Sequence, residues 1–173
     1  MRAKLFVVIV VFAASMVSCG GGSGDTGTGG NNSGGADFAT ITVDASAPYT
    51  YTEAPSASYP FYDPYIMSIV SGTSTGLYAY TNGAPRMQIS FAGATAGTYT
   101  ISNGGNAVYY MPDGGDIYSC SPAFSGSSGT ITITEFGPAS GGHITGSYDV
   151  IAKYGTYNAS SAHLTASFSV TRN

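Results

Sequence analysis

Thr130 to Phe136 reads TITITEF, and this stretch decides the fold class of the chain. Its isoleucines alternate with its threonines, so the side chains repeat with a period of two. Successive side chains of a β-strand point to opposite faces, and this period therefore predicts a strand with one apolar and one hydroxyl-bearing face. Such a strand is typical of a sheet that is buried on one side and solvated on the other.

Two later segments repeat the pattern and predict the neighbours of this strand. His143 to Ile151 places on one face Ile144, Tyr148 and Val150. Ala162 to Val170 aligns Leu164, Ala166, Phe168 and Val170. Three long amphipathic strands in succession predict an antiparallel meander.

Shorter segments with strand character precede the meander. They are Phe38 to Val43, Tyr65 to Val70, Leu77 to Thr81, Arg86 to Phe91, Thr98 to Ile101 and Ala107 to Met111. The segment at Tyr65 is more continuously apolar, which predicts a strand covered on both faces. The last two flank a Ser-Asn-Gly-Gly-Asn turn and predict a hairpin. About nine or ten strands indicate an all-β domain, either an antiparallel β-sandwich or a small β-barrel.

Composition supports one such domain from Asp37 to Asn173. The chain has 25 Gly and 14 Tyr, and only 8% of its residues are charged. Tyr and Thr fit a half-buried pleated surface, and Gly marks turns. A domain of about 137 residues can bury close to two thirds of its unfolded surface, which is enough for a single core.

The N-terminal segment has the features of an export signal. Arg2 and Lys4 precede an apolar run, which ends in Met16-Val17-Ser18-Cys19. The apolar region of about 13 residues is too short to span a membrane, so residues 1–18 are predicted to be a cleaved signal peptide. The small residues at positions 13–15 leave open a plain secretory cleavage site.

This segment resembles a bacterial lipoprotein signal peptide, whose lipobox ends in a cysteine preceded by small residues. The resemblance implies that Cys19 is acylated and becomes the first residue of the mature protein. Gly20 after the cysteine resembles outer-membrane sorting in proteobacterial lipoproteins. We therefore expect a cell-envelope protein whose membrane contact is its lipid anchor.

Residues 20–35 contain no hydrophobic side chain, so 19–36 are predicted to be the lipidated cysteine and a flexible Gly/Ser linker. Removal of the signal leaves three basic residues against nine acidic ones, a net charge of −6. Without a basic cluster, nucleic acid is excluded as a partner.

A second resemblance covers residues 92–173. The motifs that support it are Gly97-Thr98-Tyr99-Thr100-Ile101, Gly129-Thr130-Ile131-Thr132-Ile133-Thr134, Ile144-Thr145-Gly146-Ser147-Tyr148 and Phe168-Ser169-Val170-Thr171-Arg172. They resemble an uncharacterised all-β domain of small bacterial lipoproteins. The resemblance implies a fold and an envelope location, and it implies no catalytic residues.

Few residues are suited to catalysis or metal binding. Asp113 and Asp116 offer oxygen ligands for Ca²⁺, but the spacing is not that of an EF-hand, and a plain turn is favoured. His143 and His163 are the only histidines, so a histidine metal site has little to draw on. No cofactor is expected. Cys120 is expected to be a buried thiol, with a Cys120 and histidine dyad as a minor alternative.

Tyrosines provide the main candidate for a binding surface. The weak binding candidates are Tyr49, Tyr51, Tyr59, Tyr62 and Tyr65. Tyrosine suits glycan or protein partners, although core packing is the more common role of such rings. We therefore expect a non-enzymatic binding or surface domain, with a Ca²⁺-binding or glycan-binding module as the alternative. A hydrolase that pairs Asp149 with Glu135 is the least favoured hypothesis.

Overall fold

The computed structural model describes residues 37–53, 65–81, 84–112, 115–137 and 141–172. These residues form eleven β-strands and one 3₁₀ turn at Thr156–Asn158. The strands are β1 Phe38–Val43, β2 Tyr49–Thr52, β3 Tyr65–Ser71, β4 Ser74–Thr81, β5 Ala84–Phe91, β6 Gly97–Thr100, β7 Ala107–Tyr110, β8 Tyr118–Cys120, β9 Ser128–Phe136, β10 His143–Tyr154 and β11 Ser160–Thr171. In the described part of the chain, no helix is long and apolar enough to span a lipid bilayer.

All strands belong to one antiparallel sheet in the order β2-β1-β11-β10-β8-β7-β5-β4-β3, and β9 pairs with β10 and with β6. The sheet is nearly closed and barrel-like. The Ser68 hydroxyl of β3 donates a hydrogen bond to the carbonyl of Thr171 on β11 over 3.0 Å, which joins distant parts of the strand order. The prediction of an antiparallel all-β domain is confirmed, and this shape corresponds to its barrel alternative.

The predicted meander is confirmed, because β10 pairs along its length with β11 on one side and with β9 on the other. The face assignment is also confirmed. The buried apolar residues of these strands are Ile131, Ile133, Ile144, Tyr148, Val150, Leu164, Phe168 and Val170. Phe168 lies between two small partners, Ala39 on β1 and Gly146 on β10, so its ring fills the space that they leave.

A β-bulge lies in β9 where the pairing with β10 shifts: Ile133 faces Gly146, whereas Glu135 faces Thr145. The extra residue is Thr134, whose hydroxyl donates to the Thr145 carbonyl over 3.1 Å. A bulge changes the face on which the following side chains lie. Phe136 therefore packs against the core, where the Arg172 guanidinium lies 5.1 Å from its ring centre.

The predicted hairpin between the segments at Thr98 and Ala107 is wrong. β6 pairs with β9, and β7 pairs with β5 and β8. The buried Asn106 side chain explains the separation, because its amide donates to the Thr100 carbonyl over 2.7 Å and accepts from the Ala92 N–H over 2.8 Å. These bonds fix the turn in a shape that directs the two strands to different partners.

Two further expectations need correction. Ile69 on β3 is 49% exposed, so this strand is not covered on both faces. Among the described strands, β3 pairs with β4 alone. The short strands β2 and β8 were not predicted. β8 has only three residues, too few to show a period of two.

The outer face of the meander is lined with hydroxyl groups. One row crosses six strands at directly opposed positions: Thr98, Thr132, Ser147, Ser167, Thr40 and Thr50. The Thr40 and Thr50 hydroxyls lie 3.1 Å apart. No residue of this row carries a charge.

Candidate functional site

The two ends of the long strands differ in chemistry. Asp37, where the chain enters β1, lies at the end where β11 finishes, since both of its carboxylate oxygens bind Thr171. Tyr154 and Ser160, which face each other across β10 and β11, mark the opposite end. Along β11 the two ends are separated by about 36 Å. We call the end that contains Tyr154 the distal end.

A row of tyrosines runs from the core to the distal end, with one ring from each of three adjacent strands. Tyr110 on β7 is buried and stacks on Tyr118 of β8, with ring centres 5.9 Å apart. Tyr118 in turn packs on Tyr154 of β10 at 4.9 Å. Tyr118 and Tyr154 lean on the core but remain partly exposed. Their rings therefore offer aromatic surface to solvent at the mouth of the sheet.

Two carboxylates act on the same ring. The pKa of Tyr118 is raised by burial, by the neighbouring Tyr154, and by the negative charges of Asp116 and Asp44. Asp44 is held firmly, since its carboxylate accepts the His163 backbone N–H over 2.7 Å while its own N–H donates to the His163 carbonyl over 2.8 Å. The aromatic surface is therefore flanked by hydrogen-bond acceptors.

Tyr157 lies in the loop between β10 and β11 at the same end, and it is 94% exposed. Its backbone is left-handed, with φ of 58°, and Asn158 follows with φ of 54°. A residue that is not glycine loses roughly 1 to 3 kcal/mol in such a conformation. Since the ring has almost no contact area with the rest of the domain, packing does not compensate for this strain.

Ile117 completes the exposed surface at this end. It directly precedes β8 and is 49% exposed. The pairing of Ser119 with Lys153 places Ile117 beside the start of the loop that contains Tyr157. We define the distal rim as Ile117, Tyr118, Tyr154 and Tyr157.

Beneath the rim, tyrosine hydroxyls are buried in the core. Tyr51 hydrogen bonds to Tyr110, and burial followed by the charge of Tyr110 raises the pKa of Tyr51. Burial is also the main cause of the raised pKa of Tyr148, whose neighbours include Tyr110, Tyr51 and Cys120. The Tyr148 hydroxyl is buried and has no hydrogen-bond partner among the residues that the structure describes.

The tyrosines selected from the sequence do not form one surface. Tyr51 is buried in the core, and Tyr49, 48% exposed, packs on it with ring centres 4.6 Å apart. The prediction that Tyr51 is a surface binding residue is therefore wrong. Tyr59 and Tyr62 lie outside the described residues, as does the side chain of Tyr65.

The candidate Ca²⁺ ligands are not brought into a metal site by the described residues. Asp116 is exposed beside Tyr118, and Asp113 lies outside the described ranges. Within those ranges, no group of three or more His, Cys, Asp or Glu side chains is arranged to hold a metal ion.

The carboxylate pair suggested for a hydrolase is not formed. Glu135 faces Thr145, which is four residues along β10 from Asp149, so the two acids are separated by about 13 Å. Retaining and inverting glycosidases need about 5 to 10 Å. Asp149 instead contacts the Nε2 atom of His163 at 2.7 Å on the outer face.

The minor alternative of a cysteine and histidine dyad is also wrong. Cys120 is a free, fully buried thiol that donates to the Ser128 carbonyl over 3.6 Å. Burial raises its pKa to about 11. His163 is exposed on the outer face of the sheet. His143 begins β10 and pairs with Thr171, whereas the residue before Cys120, Ser119, pairs with Lys153 near the other end of that strand.

A different pair of acids does meet, at the end opposite the rim. Asp37 is buried, and its carboxylate accepts the N–H and the hydroxyl of Thr171, both over 2.8 Å. Burial and the charge of Asp37 raise the pKa of Glu53, whose side chain hydrogen bonds to Asp37. Since both Asp37 oxygens bind Thr171, the pair fastens the first strand to the last.

No protein-family model, curated protein or solved structure matches this chain. The rim residues are therefore interpreted from their own geometry. The sequence does not indicate the rim residues, because each of them belongs to a short segment or to one that looks like an ordinary strand or loop. The pair of left-handed residues at the tip of the longest hairpin is a property of the backbone that Thr156-Tyr157-Asn158 does not reveal.

Proposed function

We propose that this protein is a non-enzymatic lipoprotein of the cell envelope whose β domain binds a partner through the distal rim. The lipid would be attached at Cys19, and the predicted linker would join the domain at Asp37. The partner would meet the far end of the long strands. In proteobacteria, Gly20 would favour the outer membrane.

The observation that best supports the binding role is the strained and exposed Tyr157. A left-handed tyrosine with 94% of its surface in solvent lowers stability without a packing gain. Strain of this kind concentrates at sites of function, and exposed tyrosines are typical of binding surfaces. The partly exposed Tyr118 and Tyr154 extend the same surface.

Anchoring is tested by metabolic labelling with an alkyne fatty acid. We expect label on the wild type and on Cys120→Ala, whose substitution removes the other cysteine, and no label on Cys19→Ala. Cys19→Ala should also accumulate as unprocessed precursor. Label retained on Cys19→Ala would disprove lipidation at this residue.

Binding is tested with the mature protein in detergent micelles and delipidated envelope fragments from the producing cells, so that the lipid anchor does not contribute to sedimentation. Cosedimentation should fall at least about tenfold in Tyr157→Ala, the effect of losing roughly 1.4 kcal/mol of binding free energy. Tyr49→Ala is the matched control, because it removes an exposed tyrosine outside the rim. If the two variants bind as well as the wild type, the rim is not the binding surface.

A further inference from the structure

We infer that the distal rim binds an uncharged oligosaccharide, an inference that rests on the binding function proposed for that rim. The ligand class follows from three properties of the rim: its aromatic surface, the sign of its charges and the position of Tyr157.

The aromatic surface fits the apolar side of a sugar ring. Tyr118 and Tyr154 pack against each other in a tilted arrangement, with ring centres 4.9 Å apart and planes inclined by 37°, and both rings remain partly exposed. The face of an aromatic ring carries partial negative charge, and it attracts the slightly positive C–H groups of a pyranose. Tyr118 is also supported from behind by Tyr110, so the surface is held in place before a ligand arrives.

The charges beside the rings select among ligands. Both charged groups that act on Tyr118 are acidic, Asp116 and Asp44. Carboxylates accept strong hydrogen bonds from hydroxyl groups, which every neutral sugar supplies. Lys153 precedes Tyr154, but its ammonium group donates to the Ser161 hydroxyl over 2.8 Å, so the two acidic groups outnumber the cation and disfavour uronic acids, phosphates and other anionic polymers. The two acidic groups also disfavour a protein partner, since the cores of protein interfaces are depleted of Asp.

Tyr157 adds a third ring at the same end of the strands. Because it lies on the loop between β10 and β11 and is 94% exposed, its ring is open to contact with a bound chain. A ligand that contacts Tyr157 as well as the pair of Tyr118 and Tyr154 must extend beyond one sugar residue. We therefore expect oligosaccharides to bind more tightly than monosaccharides.

The inference is tested by calorimetry on the mature lipidated protein, in a detergent without a sugar headgroup. The probes are neutral hexasaccharides of glucose, N-acetylglucosamine, mannose and galactose, with hexagalacturonate as the anionic probe.

At least one neutral probe should bind, and its affinity should fall about tenfold or more in Tyr118→Ala and Tyr154→Ala. Tyr49→Ala removes an exposed tyrosine outside the rim, so its affinity should stay within threefold of the wild type. If a tyrosine variant does not fold, Asp116→Ala provides a second test, because it changes an exposed residue and removes a proposed hydrogen-bond acceptor. The affinity of Asp116→Ala for the neutral probe should fall at least about threefold.

The outcomes separate this inference from the proposed function. Tight binding of hexagalacturonate, or neutral binding that no rim variant changes, overturns the inference. If no hexasaccharide binds while Tyr157→Ala still loses envelope binding, the ligand class inferred for the rim is wrong and the proposed function stands. If envelope binding also survives the rim variants, both fail.

Discussion

Truncation of Phe168 to alanine tests how the core is built. The ring is fully buried, and its two cross-strand partners are Ala39 and Gly146. At Gly146, an added Cβ would lie only 3.0 Å from Phe168 Cζ, so the ring covers the glycine closely. Neither partner has a side chain long enough to fill the space that the ring would leave.

The expected loss follows from that geometry. Phe→Ala in a core costs about 3 to 5 kcal/mol, and the cost is highest where the surroundings cannot collapse. With Ala and Gly on both sides, we expect Phe168→Ala to lie near the upper end of that range. Thr132 lies on the partly exposed outer face of β9, and Thr132→Ala should cost less than about 1 kcal/mol.

Urea denaturation of the mature protein, followed by circular dichroism, measures both values. Similar losses for the two variants would mean that both faces of the meander are buried. A loss below about 2 kcal/mol for Phe168→Ala would mean that the neighbouring strands do close the cavity, and the reasoning from Ala39 and Gly146 would be refuted.

Three further predictions concern titratable side chains in the core and at the Asp37 end. Tyr148→Phe removes a buried hydroxyl that has no partner in the described part of the chain, so it should raise the free energy of unfolding by about 1 to 3 kcal/mol; a decrease would contradict the absence of a partner. Because the pKa of Glu53 is raised in the folded protein, the protonated Glu53 side chain stabilises the fold. This stabilisation is complete below the pKa of Glu in the unfolded chain and is lost as the pH rises through the pKa of Glu53 in the folded protein. Glu53→Gln should therefore match the wild type at acid pH and be more stable at neutral pH, and denaturation curves that differ equally at both pH values would contradict this. Cys120 should react with iodoacetamide at pH 8 about a hundredfold more slowly in the native than in the denatured protein, because the buried thiol has a pKa of about 11; equal rates would contradict the burial.

The long strands were predictable because each contains enough residues to show a period of two. The meander of β9, β10 and β11 and its inward residues follow from that period alone. Short strands are not predictable in this way, because a three-residue segment such as Tyr118–Cys120 is too short to show a period of two. The failed hairpin shows a second limit. The pairing there depends on two hydrogen bonds of one side chain, Asn106, and a nearby turn sequence does not encode its burial.

The rim was not predictable for a related reason. Tyr118 and Tyr154 are distant in sequence and meet only because β8 pairs with the end of β10. The predicted tyrosine cluster relied instead on proximity in sequence, which placed a core residue, Tyr51, among the surface candidates. Pairing between distant strands decides which aromatic rings share a surface, and composition does not.

The hydroxyl row across the meander has a consequence for how the surface of the β domain is hydrated. Hydroxyl groups do not ionise at physiological pH and do not gather counter-ions, so the water held by this face does not depend on acidity or salt. Only 8% of the residues of the chain are charged, and most soluble proteins have about three times that fraction. The β domain should therefore remain dispersed at its isoelectric point, where proteins that rely on like-charge repulsion precipitate.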